Sequence, residues 1–318
     1  MPKVSVIIPV YGVEKYIERC ARSLFEQTID DIEYMFIDDC TPDGSIAVLI
    51  RVLDEYPERK SQVVIHRMEQ NSGQAKVREW GIQSATGDYV IHCDSDDWVD
   101  KNLYRALYDK AIAEDAQVVV CDYKLTDGIN IIKEVEGCRN TNCSNFLQHL
   151  LLQKEPWSLW NKLFKRTDCF RELIFPTGNM GEDMVLCVQM MFHCQRAAYV
   201  SGVYYNYFCN NNSISNLRDA SLHIRNFERL KSNTDLLITI IQEKDIPHKK
   251  WIINGLQYNA TVTLLNVIHG NKEFRDLWMN TYPGANWRFV FNPYMKIERR
   301  IKCFLAIMGL YPFKKDRI

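Results

Sequence analysis

Gly87-Asp88-Tyr89-Val90-Ile91-His92-Cys93-Asp94-Ser95-Asp96-Asp97-Trp98 decides the fold. Tyr89 to Cys93 is short, rich in β-forming residues and bounded by a Gly and by polar residues, the signature of a buried strand. Asp94, Asp96 and Asp97 then follow within four positions. Carboxylates so close together repel unless a cation neutralises them. Hard oxygen ligands suit Mg²⁺ or Mn²⁺, which usually take one or two carboxylates plus phosphate oxygens. The stretch reads as a strand delivering a metal site for a diphosphate; the plainer alternative is a solvated acidic turn capping the next helix.

Upstream, Val4 to Val10 is an apolar run, as in a parallel strand covered on both faces. Pro9 lacks a ladder donor, which predicts that the strand ends there. A helix over 13–27, a strand at Ile32–Ile37 ending in Asp38-Asp39, the turn Thr41-Pro42-Asp43-Gly44 and a helix to Tyr56 follow. Then come a strand at Val63–His66, the loop Asn71-Ser72-Gly73, a helix at Ala75–Ser84 and the quoted strand. A helix at Leu103–Ala113 and a fifth strand at Val118–Cys121 complete the alternation. It predicts a doubly wound α/β sheet, in which ligands sit at the carboxyl ends of the strands. Tyr11, Asp38-Asp39, Asn71-Ser72-Gly73 and Asp94–Asp97 all fall at such ends, where scattered acidic turns would not converge. Neither Gly-x-Gly-x-x-Gly nor a P-loop follows the first strand, so a diphosphate falls to a metal and side chains.

Downstream the alternation weakens. Asp127-Gly128 predicts a hairpin between Tyr123 and Glu136. A helix is expected at Asn145–Gln153, then the aromatic and basic run Trp157–Arg166, where core packing competes with a site role for Trp160. Glu182-Asp183 opens a helix at Met184–Phe192, where acids commonly serve the helix dipole. Tyr199–Phe208 is β-like and Asn210–Ser215 a polar loop. Helices at Ile224–Gln242 and Trp251–His269 lead the C-terminal part, giving domains 1–217 and 218–318.

The 318 residues carry a net charge of −1, which excludes a global field for nucleic acid. Residues 296–318 hold seven Lys/Arg against Glu298 and Asp316, a local +5. Interleaved with Ile301, Phe304, Leu305, Ile307 and Met308, they read either as an interfacial membrane helix or as a helix packed on the domain. The eleven Cys include no Cys-x-x-Cys pair; several fall in apolar patterns, as expected in a reducing compartment. Cys187, His193 and Cys194 lack the second ligand pair of a zinc site. No signal peptide pattern opens the chain, and no apolar run reaches the roughly 18 residues that span a bilayer. The expected location is cytoplasmic, peripheral on the inner face of the membrane through 296–318.

Taken in order, the blocks resemble glycosyltransferase family 2, the inverting family with the GT-A nucleotide-diphospho-sugar fold. Val4-Ser-Val-Ile-Ile-Pro-Val-Tyr11 is similar to its opening strand, and Ile37-Asp38-Asp39-Cys-Thr-Pro-Asp43-Gly44 to its second-strand motif. Asn71-Ser-Gly73 through Gly81 and Ala85-Thr-Gly87-Asp-Tyr resemble its third block. Asp94-Ser-Asp96-Asp97 resembles its Asp-x-Asp motif, and Trp160-Asn-Lys162-Leu and Gly181-Glu182-Asp183 its later blocks. The resemblance covers about residues 1–215 and implies a mixed sheet with flanking helices, followed by a C-terminal helical region.

The resemblance implies roles residue by residue. Pro9, Val10 and Tyr11 line the base pocket, with Tyr11 stacked on the pyrimidine; Asp39 accepts the uracil N3–H; Asn71, Arg78 and Ser95 lie near the nucleotide or diphosphate. Asp94 faces the ribose and Asp96 holds Mn²⁺ or Mg²⁺. Asp183 is the base with Glu182 beside it, and Trp160 and Lys162 border the acceptor or sugar pocket. The chemistry agrees, because displacement at an anomeric carbon needs leaving-group stabilisation, a base for the acceptor hydroxyl and exclusion of water. Trp157, Trp160, Tyr204 and Tyr205 are the expected aromatic walls. Two departures stand out: Cys40 occupies a position commonly Gly or small and polar, and 204–212 lacks an Arg before Ser-Ile-Ser, leaving Lys76 or Arg78 as substitutes. The implied partners are a nucleotide-sugar donor of the UDP-sugar type and a glycan or lipid-linked acceptor; a non-catalytic sugar-nucleotide-binding or assembly protein is the alternative.

Overall fold

The computed structural model describes residues 1–209, 220–267 and 272–310. Its strands are β1 (Val4–Val10), β2 (Ile32–Asp38), β3 (Val63–Arg67), β4 (Tyr89–His92), β5 (Trp98–Val99), β6 (Val118–Thr126), β7 (Ile131–Val135), β8 (Lys162–Lys165) and β9 (Ala197–Phe208). Its helices are α1 (Ile17–Phe25), α2 (Ser45–Asp54), α3 (Gln74–Ser84), α4 (Leu103–Glu114), α5 (Cys143–Leu151), α6 (Arg166–Cys169), α7 (Glu182–Phe192), α8 (Ala220–Gln242), α9 (Lys249–Val267), α10 (Lys272–Thr281), α11 (Ala285–Phe291) and α12 (Ile297–Ile307).

The chain divides into two compact units. One contains Met1–Gln148, Pro156–Thr177 and Leu186–Ser213; the other contains His149–Glu155, Gly178–Val185 and Ile214–Ile318. The expected cut at 217/218 lies outside the described residues, and the helical unit also takes two short segments from earlier in the chain.

The first unit holds a mixed sheet in the order β3-β2-β1-β4-β8-β6-β9-β5, with β7 paired to β6. β3, β2, β1 and β4 are mutually parallel. β8 pairs antiparallel with both β4 and β6, so the predicted fifth strand does not adjoin the fourth. The aromatic and basic run after Trp157 therefore supplies the strand that splices the two halves. The hairpin expected around Asp127-Gly128 is present, with Tyr123 opposite Val135.

β1 is buried on both faces, as its unbroken apolar run requires. Val4, Val6, Ile8 and Val10 join Cys20, Leu24 and Leu107 in the main core, and each such burial contributes about 1.5–3 kcal/mol. Contrary to expectation, β1 continues through Pro9 to Val10. Its even-numbered residues bond toward β2, where Asp39 N–H donates to the Val10 carbonyl; its odd ones bond toward β4, where Cys93 N–H donates to the Ile7 carbonyl. Pro9 faces the β4 side beyond the last paired residue, Ile7. No ladder donor is missed there.

On the opposite face, α3 crosses β1 at Gly81. A Cβ there would lie 2.6 Å from Ile7 Cγ2 and 3.0 Å from Ile37 Cδ1. This contact fixes the height of α3, and with it Gln74 and Arg78, over the sheet.

The second unit has its own core, in which Phe227, Tyr258, Leu264, Leu265, Trp278 and Phe289 pack with Cys303 and Ala306 of α12. Gly81→Ala is expected to lower stability by about 1–3 kcal/mol through overpacking. Urea unfolding checks this, and an unchanged midpoint would refute the close approach.

Candidate active site

Parallel pairing brings the carboxyl ends of β3, β2, β1 and β4 to one edge, and hydrogen bonds knit their loops together. Asp39, 4% exposed, accepts the N–H groups of Ser72 (2.7 Å) and Gly73 (2.8 Å) on its two carboxylate oxygens. Thr41 Oγ1 accepts the Gly12 N–H and donates to Asp43. Burial raises the Asp43 carboxyl, but hydrogen bonds from Ser45, Thr41 and the Glu14 N–H outweigh it and hold the group down at about 2. Cys40 takes the left-handed backbone, φ 56°, that normally favours Gly, and its thiol reaches the Met68 carbonyl.

Three carboxylates leave β4 and meet different fates. Asp97 is buried; its two oxygens accept the Phe208 N–H (2.7 Å) and the Tyr205 hydroxyl (2.6 Å). Tyr205 Oη also accepts the Asp94 N–H at 2.9 Å. Burial, and then Asp96 and Asp94, raise the Asp97 carboxyl well above the ordinary carboxylate range. Asp94 stays partly open and accepts a hydrogen bond from Arg78 Nη2 at 3.0 Å. The other Arg78 amino group meets His92 Nδ1 at 2.9 Å. Burial, then the Arg78 charge, hold the His92 imidazole well below its usual range, so it is neutral and accepts from Arg78. Asp96 is pushed up to about 6, first by burial and then by Asp94.

Asp94 and Asp96 therefore offer open hard-oxygen donors, and their mutual repulsion is what a divalent cation relieves. The donor set fits Mg²⁺ or Mn²⁺.

Beneath this loop lies an aromatic stack. Trp160 stacks on Tyr205 with centroids 4.4 Å apart and meets Tyr123 edge-on at 4.9 Å. Beside the loop, the Arg19 guanidinium lies 3.7 Å from the Trp98 ring centroid and 4.8 Å from that of Phe208, and donates to the Asp96 carbonyl at 2.9 Å.

The predicted residues sort accordingly. Tyr11 keeps its ring 51% exposed at the edge, and Asn71 is exposed there too. Val10 does not line a pocket, because its side chain is buried in the core. Ser95 is spent on a 2.6 Å bond from its hydroxyl to the Pro9 carbonyl. Arg78 sits inside the protein on Asp94 and His92, while Lys76 pairs with Glu79. Lys162 is not at an acceptor pocket: it is buried, and its ammonium donates to the Pro156 and Ser158 carbonyls and to Asn161 Oδ1. Trp160 and Tyr205 pack as core rather than as walls. The Ser-Ile-Ser stretch, with its missing Arg, lies outside the described residues. Cys194 meets Cys169 at 3.4 Å between sulfurs and His193 is exposed, so the zinc alternative has no cluster among the described residues.

Glu182 and Asp183 open α7 in a segment grouped with the second unit. Asp183 Oδ1 accepts the Met184 N–H at 2.8 Å, and Glu182 is buried. Within that unit, Asn233 of α8 donates to the carbonyls of Gly178 (2.8 Å) and Met180 (2.9 Å). Gly181 has φ +78°, and a Cβ would lie 2.8 Å from Leu230 Cδ1. The acid pair is thus held by α8. Arg19, His92 and Asn233 were not legible as site residues, and for Asp97 and Tyr205 the sequence indicated a place at the site but not their bond to each other.

The architecture is the GT-A fold. The S. aureus TarS 1–349 structure in complex with UDP-GlcNAc superposes with a TM-score of 0.68 at 18% identity, covering 99% of this chain and 94% of that one. The Pyrobaculum calidifontis mannosyltransferase PcManGT, in complex with GDP-Man and Mn²⁺, gives 0.57 at 16% identity over 97% and 87%. Residues 5–154 match the family described as "Glycosyl transferase family 2". Glycosyltransferase GlyA of Streptococcus pneumoniae serotype 4 is 26% identical over 234 residues, 67% of this chain and 31% of GlyA, so the chain spans about a third of that relative. Residues 5–154 thus carry a domain of glycosyltransferase family 2.

Two outcomes are expected. Tyr205→Phe removes a donor from buried Asp97 and an acceptor from Asp94 N–H; it should cost about 1–3 kcal/mol in thermal or urea unfolding. A wild-type melting curve in that variant would show that the clamp carries no stability. The second concerns protons and cations. Because the folded Asp96 carboxyl sits at about 6 against an ordinary 3.8, the cation-free protein holds that proton more tightly than the unfolded chain does. Its ionisation between those values costs stability as pH rises, on the order of 2–3 kcal/mol at most. Mn²⁺ should reverse the cost, so its stabilisation in thermal shift should be large at pH 7.5 and shrink below about pH 6, the value to which Asp96 is raised. A pH-independent Mn²⁺ shift would remove Asp96 as ligand.

Proposed function

We propose that this protein is an inverting glycosyltransferase that moves a sugar from a UDP-sugar to a hydroxyl of a glycan or lipid-linked acceptor in surface polysaccharide synthesis. The observation that carries the reading is the gathering of Tyr11, Asp39, Asp94 and Asp96 at one sheet edge, with the Asp96 carboxyl raised to about 6. A site that pushes an acid up in this way is built for a cation and phosphate oxygens.

In this reading the half-exposed Tyr11 ring stacks on the uracil. The Asp39 oxygens each keep a second lone pair beyond the Ser72 and Gly73 bonds, and one accepts the uracil N3–H. Asp94, steadied by Arg78, faces the ribose. Asp94 and Asp96 hold Mn²⁺ or Mg²⁺, which when bound supplies charge stabilisation to the leaving diphosphate. Asp183 takes the proton of the acceptor hydroxyl as that oxygen forms its bond to the anomeric carbon. The bond from that carbon to the diphosphate oxygen breaks on the opposite side, and UDP leaves. One in-line displacement inverts the centre. That TarS is described with UDP-GlcNAc and PcManGT with a nucleotide sugar and Mn²⁺ supports the donor class and the cation.

Removing the base should slow the chemical step by about 10²–10⁴-fold while sparing the donor. Asp183→Asn is therefore expected to keep Mn²⁺-dependent UDP binding in calorimetry and to lose transfer in a screen of UDP-sugars. Undiminished transfer would remove Asp183 as base. UDP binding without transfer by the wild type from any donor would favour a binding protein instead.

A further inference from the structure

The second unit carries a surface that its own packing does not use. α12 turns Cys303 and Ala306 into the core. Residues Ile297, Ile301, Phe304 and Met308 recur at spacings of three and four, which puts them on one stripe of the helix, and all four are exposed. Ile297 is 60% exposed and Met308 52%. The stripe continues onto α11, where Trp287 reaches Phe304 with centroids 6.4 Å apart, and Phe291 is 63% exposed. Scattered exposed apolar residues are ordinary, but a contiguous band of Trp, Phe, Ile and Met marks a contact surface.

The first turn of α12 also builds a cavity of about 390 Å³, lined by Lys154, Lys296 and Arg299 together with Trp251, Tyr258 and Tyr294. No carboxylate lines it, and among the described residues none of the three cations lies within ion-pair distance of an acid. Like charges lining one concavity repel, and an anion relieves that repulsion. Arg288 adds a further exposed cation beside Trp287. Two observations thus fall on one helix: an apolar stripe with a Trp at its border, and a hollow at its first turn lined by three cations.

We propose that α11 and α12 seat this protein on an anionic bilayer, the Trp287–Met308 stripe entering the acyl boundary and the Lys154–Lys296–Arg299 cavity taking a lipid phosphate. Charge complementarity selects this occupant over a second copy of the chain, whose identical basic patch would be brought near its own like. Aromatic and aliphatic side chains flanked by Lys and Arg suit the interface, because the rings lie at headgroup depth and the cations meet phosphate. The surface differs from the tail expected from sequence: Trp287 and Phe291 precede residue 296, and part of α12 belongs to the core, so deleting 296–318 would expose Phe289 and Trp278 rather than test the membrane. The inference does not depend on the catalytic reading.

Co-sedimentation of the full chain with vesicles tests it. The wild type should pellet with phosphatidylcholine vesicles containing phosphatidylglycerol, and at least tenfold less with phosphatidylcholine alone. Trp287→Ser with Phe304→Ser, and separately Lys296→Gln with Arg299→Gln, should each weaken binding at least tenfold, with circular dichroism melts confirming folded protein. Binding unaffected by either pair, or equal on both vesicle types, overturns the proposal. So does wild type that stays in the supernatant. Two supernatant outcomes name another occupant: dimerisation abolished by Trp287→Ser with Phe304→Ser points to a second copy, and calorimetric binding of glycerol 3-phosphate lost in Lys296→Gln with Arg299→Gln points to a soluble phosphate.

Discussion

Three carboxylates within four residues are a problem of repulsion, and the first unit solves it by separating their environments. Asp97 goes inside, where the Phe208 N–H and the Tyr205 hydroxyl meet both of its oxygens. Asp94 takes the Arg78 guanidinium. Asp96 has no comparable donors on its side chain and is pushed up to about 6, while burial raises Asp97 as well despite its two hydrogen bonds. A buried carboxylate without donors is costly, and one with a cationic partner is tolerable. The loop can therefore hold one uncompensated acid at the edge only because its neighbours are compensated behind it.

This constraint explains why the sheet needs its antiparallel half. β3, β2, β1 and β4 supply the edge, but the groups that hold the acidic loop arrive from β9, and β9 reaches that place through β8 and β6. Tyr205 bonds both ends of the loop, at Asp94 N–H and Asp97. Its ring is fixed by Trp160, which the chain delivers just before β8. Buried Lys162 closes the 156–161 segment on three oxygens, which keeps Trp160 in register. The Trp160–Lys162 block is thus a positioning element, acting on the acidic loop through one aromatic stack. Arg19 acts from the other flank, gripping the Asp96 carbonyl between Trp98 and Phe208.

The second unit applies the same economy to the other acid pair. The helix dipole and the Met184 N–H account for an acid at the start of α7, and alone they would leave Asp183 an ordinary cap. The surrounding loop is not ordinary. Asn233 is buried and spends its side-chain amide on two loop carbonyls, and Gly181 is required both by φ and by its approach to Leu230. A helix otherwise anonymous in sequence is thereby tied to a specific carboxylate.

Legibility follows from how far each constraint acts along the chain. The parallel half, its strand ends and the edge residues Tyr11, Asp39, Asp94 and Asp96 were readable because period, burial and turn chemistry are local. The hairpin at Asp127-Gly128 was readable for the same reason. What stayed hidden depended on pairing between distant parts of the chain: Tyr205 with Asp97, 108 positions away, and β8 between β4 and β6. Lys162 misled because a cation in an aromatic run looks like a ligand contact, and nothing local reveals that three loop oxygens surround it. Pro9 misled through a rule applied without direction. Its missing donor matters only toward a neighbour, and alternation along β1 turns it to the side where β4 has already ended. The side toward which a backbone group points is a property of the sheet order, so a prohibition read from one residue becomes valid only once the neighbouring strands are known.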